Sequence, residues 1–210
     1  MYKLPEFTET DMDAVIAFIK AHNFITLIGN KADMPVATQV PVLFDERDGK
    51  IVLRGHIMRK TDHHLAFEQN DNALVLFSGP HCFVSASWYK ERGIGSTWNY
   101  MTVQARGKMQ FTDATATIQL LDDLTAKYEQ TQPHPQLLGD LAAEYVAGMV
   151  KAIVGFEIVL DELHPIFKLS QNRSDESYKN IVAHLEKEND YGAEAIVGEM
   201  IRRRPALFDL

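Results

Sequence analysis

Arg59-Lys60-Thr61 places two cations and a hydroxyl directly after an apolar run and at a helix start. With the free backbone N–H groups of such a start, this combination suits a phosphate. The alternative is a solvated turn whose charges touch nothing. His56, His63 and His64 lie nearby, but adjacent histidines on a helix point about 100° apart and have no carboxylate or cysteine at ligand spacing, so no metal site is assigned. Ser85 and Ser87 alternate with Val84 and Ala86 without a Gly-x-Ser-x-Gly elbow. His81 and Cys82 are neighbours, which face opposite sides of a strand, so Cys82 reads as a buried small residue rather than a nucleophile. Arg202, Arg203 and Arg204 form a basic cluster at the last helical turn, where they can satisfy terminal carbonyls and the helix dipole without any ligand.

The richest stretch runs from Gly79 to Met109 and holds both tryptophans, Trp88 and Trp98, together with the single cysteine. It reads as two strands rich in aromatic and β-branched residues around a glycine-containing loop. Trp98, Asn99 and Tyr100 suit a flat, partly polar ligand, or are core or interface aromatics.

The elements that position these residues follow from periodicity. Met12, Val15, Ile16 and Ile19 give a short amphipathic helix ending near Asn23. Phe24 to Ile28 is a strand, and Val36 to Phe44 a second one broken by Pro41, which fits an edge or a bulge. Asp48-Gly49 is a hairpin signal, so Ile51 to His56 is expected to return antiparallel to that second strand. Thr61 or Asp62 caps a short helix through Glu68, and Ala73 to Phe77 resumes the sheet before the two strands of the aromatic stretch, the second running from Trp98 to about Phe111. Asp113 caps a helix that turns Ile118, Leu121 and Leu124 inward; a helix around Leu141 to Met149 leads into a buried strand from Ala152 to Leu160. Ser174 caps a helix carrying Tyr178, Ile181, Val182 and Leu185, and Gly192 separates it from a last one carrying Ile196, Val197, Met200 and Ile201. About seven largely antiparallel strands with no βαβ repeat favour a mainly β, α+β architecture built on a small barrel, with a C-terminal helical pair that packs on the barrel or on a partner subunit.

Bulk composition narrows the function. At 210 residues the chain holds one main domain, and 46% hydrophobic with 24% charged residues is ordinary for a globular protein. A net charge of −8 repels polyanions and weakens a nucleic-acid reading. No signal-peptide core and no run of about 18 apolar residues is present, so a cytoplasmic location without a membrane span is expected.

Several stretches in order resemble one family over nearly the whole chain: Ala37 to Pro41, Gly55-His56 followed by Arg59, Gly79-Pro80-His81 with Ser87-Trp88-Tyr89, Thr97 to Tyr100, Val154 to Glu157, and Lys168-Leu169-Ser170-Gln171-Asn172-Arg173. Their order and spacing resemble the PaiB-type FMN-binding proteins, negative transcriptional regulators of protease synthesis and sporulation. The resemblance implies a split β-barrel related to pyridoxamine-phosphate oxidases over residues 1–173, with residues 174–210 as a helical extension, and a homodimer holding FMN at the subunit interface. It also implies that Arg59, Lys60 and Thr61 hold the FMN phosphate and that Leu53, Arg54, Gly55 and His56 run along the isoalloxazine. Trp98, Asn99, Tyr100 and Thr102 would reach the flavin from the other side or from the other subunit, and Lys168, Ser170, Gln171 and Asn172 would line the pocket. The commoner pattern after Arg59 is Ala-Asn-Pro and then a tryptophan; here Lys60-Thr61-Asp62 and His64 stand instead, and the Asp62 carboxylate is unfavourable beside a phosphate unless it caps the helix. The implied function is regulatory, with nucleic acid a possible partner by family and disfavoured by charge. The alternative is a flavin-dependent oxidoreductase or haem-degrading enzyme on the same fold, in which His56, His81 or His164 would serve as axial ligand or proton donor.

Overall fold

Pro41 decides how the N-terminal strands are divided. In the computed structural model, which describes residues 4–208, the expected strand from Val36 to Phe44 is two strands, because proline has no N–H for the ladder and the next donor is diverted. Val42 N–H donates instead to the Asn23 carbonyl at 2.9 Å. Strand β1 (Phe24–Lys31) therefore pairs with β2 (Met34–Pro41) in a continuous register from Phe24↔Pro41 to Lys31↔Met34. Strand β3 (Leu43–Arg47) pairs with β4 (Lys50–Met58), and β4 returns against β3 rather than β2. Their turn is the expected one: Asp48 and Gly49 both take positive φ, 52° and 73°, as a two-residue hairpin of primed type requires.

Helix α1 (Met12–Ala21) precedes β1, and helix α2 (Asp62–Gln69) follows β4. Gly79-Pro80 has the opposite effect to Pro41. Ala73 to Phe77 and the first half of the aromatic stretch are one strand, β5 (Asn72–Val84), which Gly79-Pro80 does not interrupt. A Cβ at Gly79 would lie 2.5 Å from the Phe18 ring, so glycine here admits a core aromatic against the backbone. Ser85 and Ser87 are not on a strand at all: Ser85 caps a 3-10 turn, Ala86–Trp88, and accepts from Ser87 N–H. Strand β6 (Thr97–Phe111) follows, then helices α3 (Ala114–Glu129) and α4 (Ala143–Ala152). Strand β7 (Ile153–Lys168) runs past the expected end at Leu160. One split and one merger leave seven strands among the described residues, in the sheet order β2-β1-β5-β6-β7-β4-β3. Helices α5 (Asp175–Leu185) and α6 (Tyr191–Arg203) follow, and then a 3-10 turn, Pro205–Leu207.

The caps are mostly the residues the sequence nominates. Asp113 accepts from Ala116 N–H at 2.8 Å and Ser174 from Ser177 N–H at 3.4 Å. Gly192 is no separator; it lies in the first turn of α6, which Asp190 caps by accepting from Ala193 N–H at 2.8 Å. On α3, Ile118 does not turn inward as expected: it stays 42% exposed, while Thr117, Leu120, Leu121 and Leu124 face inward.

The chain divides into two compact units. One comprises Lys20–Phe77 and Gln104–Leu163, with Ile25, Leu27, Leu53, Val75, Phe77, Phe156 and Ile158 at or near zero exposure. The other comprises the described residues of Met1–Ile19, Ser78–Val103 and His164–Leu210. Its core gathers Phe18 and Phe167, whose ring centroids are 5.1 Å apart, and the inward stripes of α5 and α6: Tyr178, Ile181, Leu185, Ile196 and Met200. Those stripes are thus covered within the chain.

Candidate functional site

In the unit of residues 20–77 and 104–163, β4 alternates as its sequence demands. Leu53, Gly55 and Ile57 face the core, and a Cβ at Gly55 would sit 2.5 Å from the Phe156 ring. Arg54 is engaged: its Nε donates to Asp45 at 2.7 Å and its Nη1 to Asp123 at 2.7 Å. His56 is different. Its Nδ1 is buried with no hydrogen-bond partner among the described residues, and burial lowers its pKa, which keeps the ring neutral.

The strand ends in the Arg59-Lys60-Thr61 turn. Arg59 N–H donates to Ala152 O at 2.9 Å, and Lys60 takes φ 64°, a left-handed backbone that reverses the chain into α2. Both side chains are exposed, and neither makes an ion pair or hydrogen bond among the described residues. Thr61 precedes the helix, yet its hydroxyl donates backwards to Met58 O at 2.7 Å and meets His63 Nε2 at 3.0 Å rather than capping. Asp62 accepts from His63 N–H at 2.8 Å and lies 3.2 Å from His63 Nδ1, so its carboxylate is turned to its own helix. His64 packs on Phe111, with ring centroids 5.0 Å apart. The histidines of this region thus have separate environments.

In the other unit, Trp98 is 53% exposed and leans on His81 and Phe83, each with ring centroids 6.0 Å away. Asn99 is fully buried; its Oδ1 accepts from the Ser170 hydroxyl at 2.9 Å and its Nδ2 lies 3.6 Å from Met200 Sδ. Tyr100 and Thr102 are half-buried. Lys168 donates to Thr97 Oγ1 and lies over the Phe7 ring, and burial, then the Arg173 charge, lowers its pKa. Ser170 is buried at φ 61°. Gln171 accepts from Leu169 N–H at 2.7 Å, and its carbonyl accepts from Arg204 at 2.6 Å. Asn172 is exposed. Asn99, Ser170 and Gln171 therefore spend their polar groups inside the protein, fastening the end of β7 to β6 and to the end of α6.

The remaining candidates resolve simply. Cys82 is buried, and burial, with Glu188 and Asp190, pushes its thiol up to about 12, which leaves no thiolate at neutral pH. Arg202 pairs with Glu199, Arg203 with Glu9 and Glu199, and Arg204 with Asp175. Two groups inside the quoted motifs were given no role from sequence: Tyr89 and Arg173, whose hydroxyl and Nε are buried without partners among the described residues. Only their position at the ends of the aromatic and Lys168 motifs pointed to them.

The model of the family described as "Putative FMN-binding domain" matches residues 1–162. The chain belongs to this FMN-binding family. It is 30% identical over 193 residues to the protease synthase and sporulation protein PAI 2 of Bacillus subtilis, covering 92% of this chain and 93% of that one, so its membership is of the PaiB type. Among solved structures it is similar to the flavocytochrome Anf3 from Azotobacter vinelandii, with a TM-score of 0.58 at 14% identity, over 80% of this chain and 72% of that chain. It is also similar to the FAD and heme binding protein from Mycobacterium smegmatis, with a TM-score of 0.54 at 13% identity, over 77% and 73%. These likenesses establish the fold, a split β-barrel of α+β class, and the family supplies the cofactor, FMN. Two features of the PaiB-type chain fit that cofactor on structural grounds: a pair of exposed cations without an ion pair at a helix start, and a buried ring nitrogen without a partner among the described residues on the strand that leads into it. No helix among the described residues is long and apolar enough to cross a membrane.

Proposed function

We propose that the chain is a cytoplasmic, homodimeric FMN-binding regulator of the PaiB type, with the flavin phosphate held by Arg59 and Lys60. The observation that carries this reading is the exposure of both cations, without an ion pair, where β4 turns into α2. A phosphate there meets two charges and the start of a helix dipole, and the nearest carboxylate, Asp62, is occupied by its own helix. His56, with Nδ1 in want of a partner, is the β4 residue suited to a polar atom of the flavin; Arg54 is held by carboxylates and Leu53 and Gly55 face the core. In the other unit, taken by itself, Trp98 has an exposed ring that suits stacking on an aromatic ligand. Of the Lys168-to-Asn172 stretch, Asn172 is the exposed member, since Ser170 and Gln171 are bonded internally and Lys168 donates to Thr97.

Bound FMN supplies one- or two-electron chemistry, and the protein binds, orients and tunes it. The test is FMN titration by quenching of its fluorescence. The chain should bind FMN, and Arg59→Ala with Lys60→Ala should weaken it at least about tenfold, the loss of two charge-assisted contacts. Affinity unchanged by the pair of substitutions would remove the phosphate assignment. Oxidation of reduced nicotinamide by the FMN-loaded protein would move the reading from regulator to oxidoreductase.

A further inference from the structure

Arg173 lies with its guanidinium carbon 4.5 Å from the centroid of the Tyr89 ring. Tyr89 is only 3% exposed, and neither its hydroxyl nor Arg173 Nε finds a hydrogen-bond partner among the described residues. Two buried donors left side by side are an uncommon arrangement, because each forfeits the bonds it would make to water. Both lack the same thing, an acceptor.

The surrounding charges say which kind. Lys168 is close enough to Arg173 for their charges to interact. The carboxylate within reach of Arg173, Glu91, is bound by the Ser177 hydroxyl. Arg204 and Lys90 are committed to Asp175 and Glu176. Glu91 keeps its negative charge and offsets one of the two cations Lys168 and Arg173, which leaves a net positive charge beside an arginine that makes no ion pair among the described residues.

We propose that Tyr89 and Arg173 form an oxyanion site, for a carboxylate or a phosphate, in which the Tyr89 hydroxyl and the Arg173 guanidinium both donate to the ligand. Arg173 is half-buried and lies over the buried Tyr89 ring, so it is the member that a ligand from solvent meets first. The anion exchanges the guanidinium's contact with the ring for charge-assisted hydrogen bonds, and in doing so uncovers the hydroxyl. The site lies wholly within the unit that holds residues 78–103 and 164–210.

Inorganic phosphate and acetate, titrated calorimetrically into the full chain carrying Arg59→Ala and Lys60→Ala, separate this site from a phosphate site at that turn. Saturable binding of at least one probe is expected; the tighter one identifies the ligand class. In the same background Arg173→Gln should weaken it about tenfold or more and Tyr89→Phe severalfold. Tyr89→Phe should meanwhile leave the melting temperature unchanged or raise it, since it removes a buried donor without removing the ring. No saturable binding of either probe, or binding indifferent to Tyr89→Phe, overturns the proposal. Should Arg173→Gln fail to fold, the Tyr89→Phe comparison decides alone.

Discussion

His56 shows what a single buried nitrogen imposes. Its pKa is lowered from 6.5 by burial, so between 6.5 and its folded value the native state binds fewer protons than the unfolded chain. Its contribution to stability is present above pH 6.5 and is lost as pH falls through the folded pKa. Denaturant melts of wild type and His56→Leu across pH 5–7 should show a slope in the first that the second lacks; parallel curves would refute the buried neutral ring. Residue types alone could nominate Arg59 and Lys60, because their chemistry is written in the side chain, whereas His56 entered through the family resemblance. They could not reveal that Arg54 is taken by Asp45 and Asp123, or that Asn99 is taken by Ser170, because those partners lie up to 71 positions away.

Among the elements, what was local was legible. The Asp48-Gly49 hairpin and the caps at Asp113 and Ser174 need only neighbours within three residues. Pro41 announced a break but not its consequence, that the strand after it would pair elsewhere. Gly107, on β6, was silent in the sequence: a Cβ there would stand 2.1 Å from the Val159 carbonyl oxygen of β7, and a backbone atom cannot step aside as a side chain does. Gly107→Ala should cost about 3 kcal/mol or more, read as a fall in melting temperature, whereas Gly95→Ala, with open space around it, should leave this nearly unchanged. The loop after β5 is fastened to α5 by Ser177, which accepts from Lys90 N–H at 2.9 Å and donates to Glu91. The hydroxyls of Ser174 and Ser177 hold the Glu91 carboxyl down at about 2 from an ordinary 4.5. That fastening is intact above pH 4.5 and is lost as pH falls toward 2, so Glu91→Gln should flatten the stability profile in that window.

At the scale of the molecule, a net charge of −8 disfavours DNA, so the proposed regulatory role would rest on a partner protein or a metabolite. Mobility-shift titrations at low salt should give no shift; a shift with a steep salt dependence would reverse that conclusion. The strand total and the fold class came through from sequence because the split at Pro41 and the merger at Gly79 offset one another, while the overall antiparallel pattern survived both. Ser170 carries the last consequence. Its backbone is left-handed, which glycine would adopt at less cost, yet its hydroxyl is what joins β7 to Asn99 on β6. Backbone comfort and side-chain bonding ask for different residues at one position, so substitution there is answered only by a matching change at Asn99. The Lys168-to-Arg173 stretch therefore serves as a signature of architecture: another chain that carries it declares how its strands are tied before it declares what it binds.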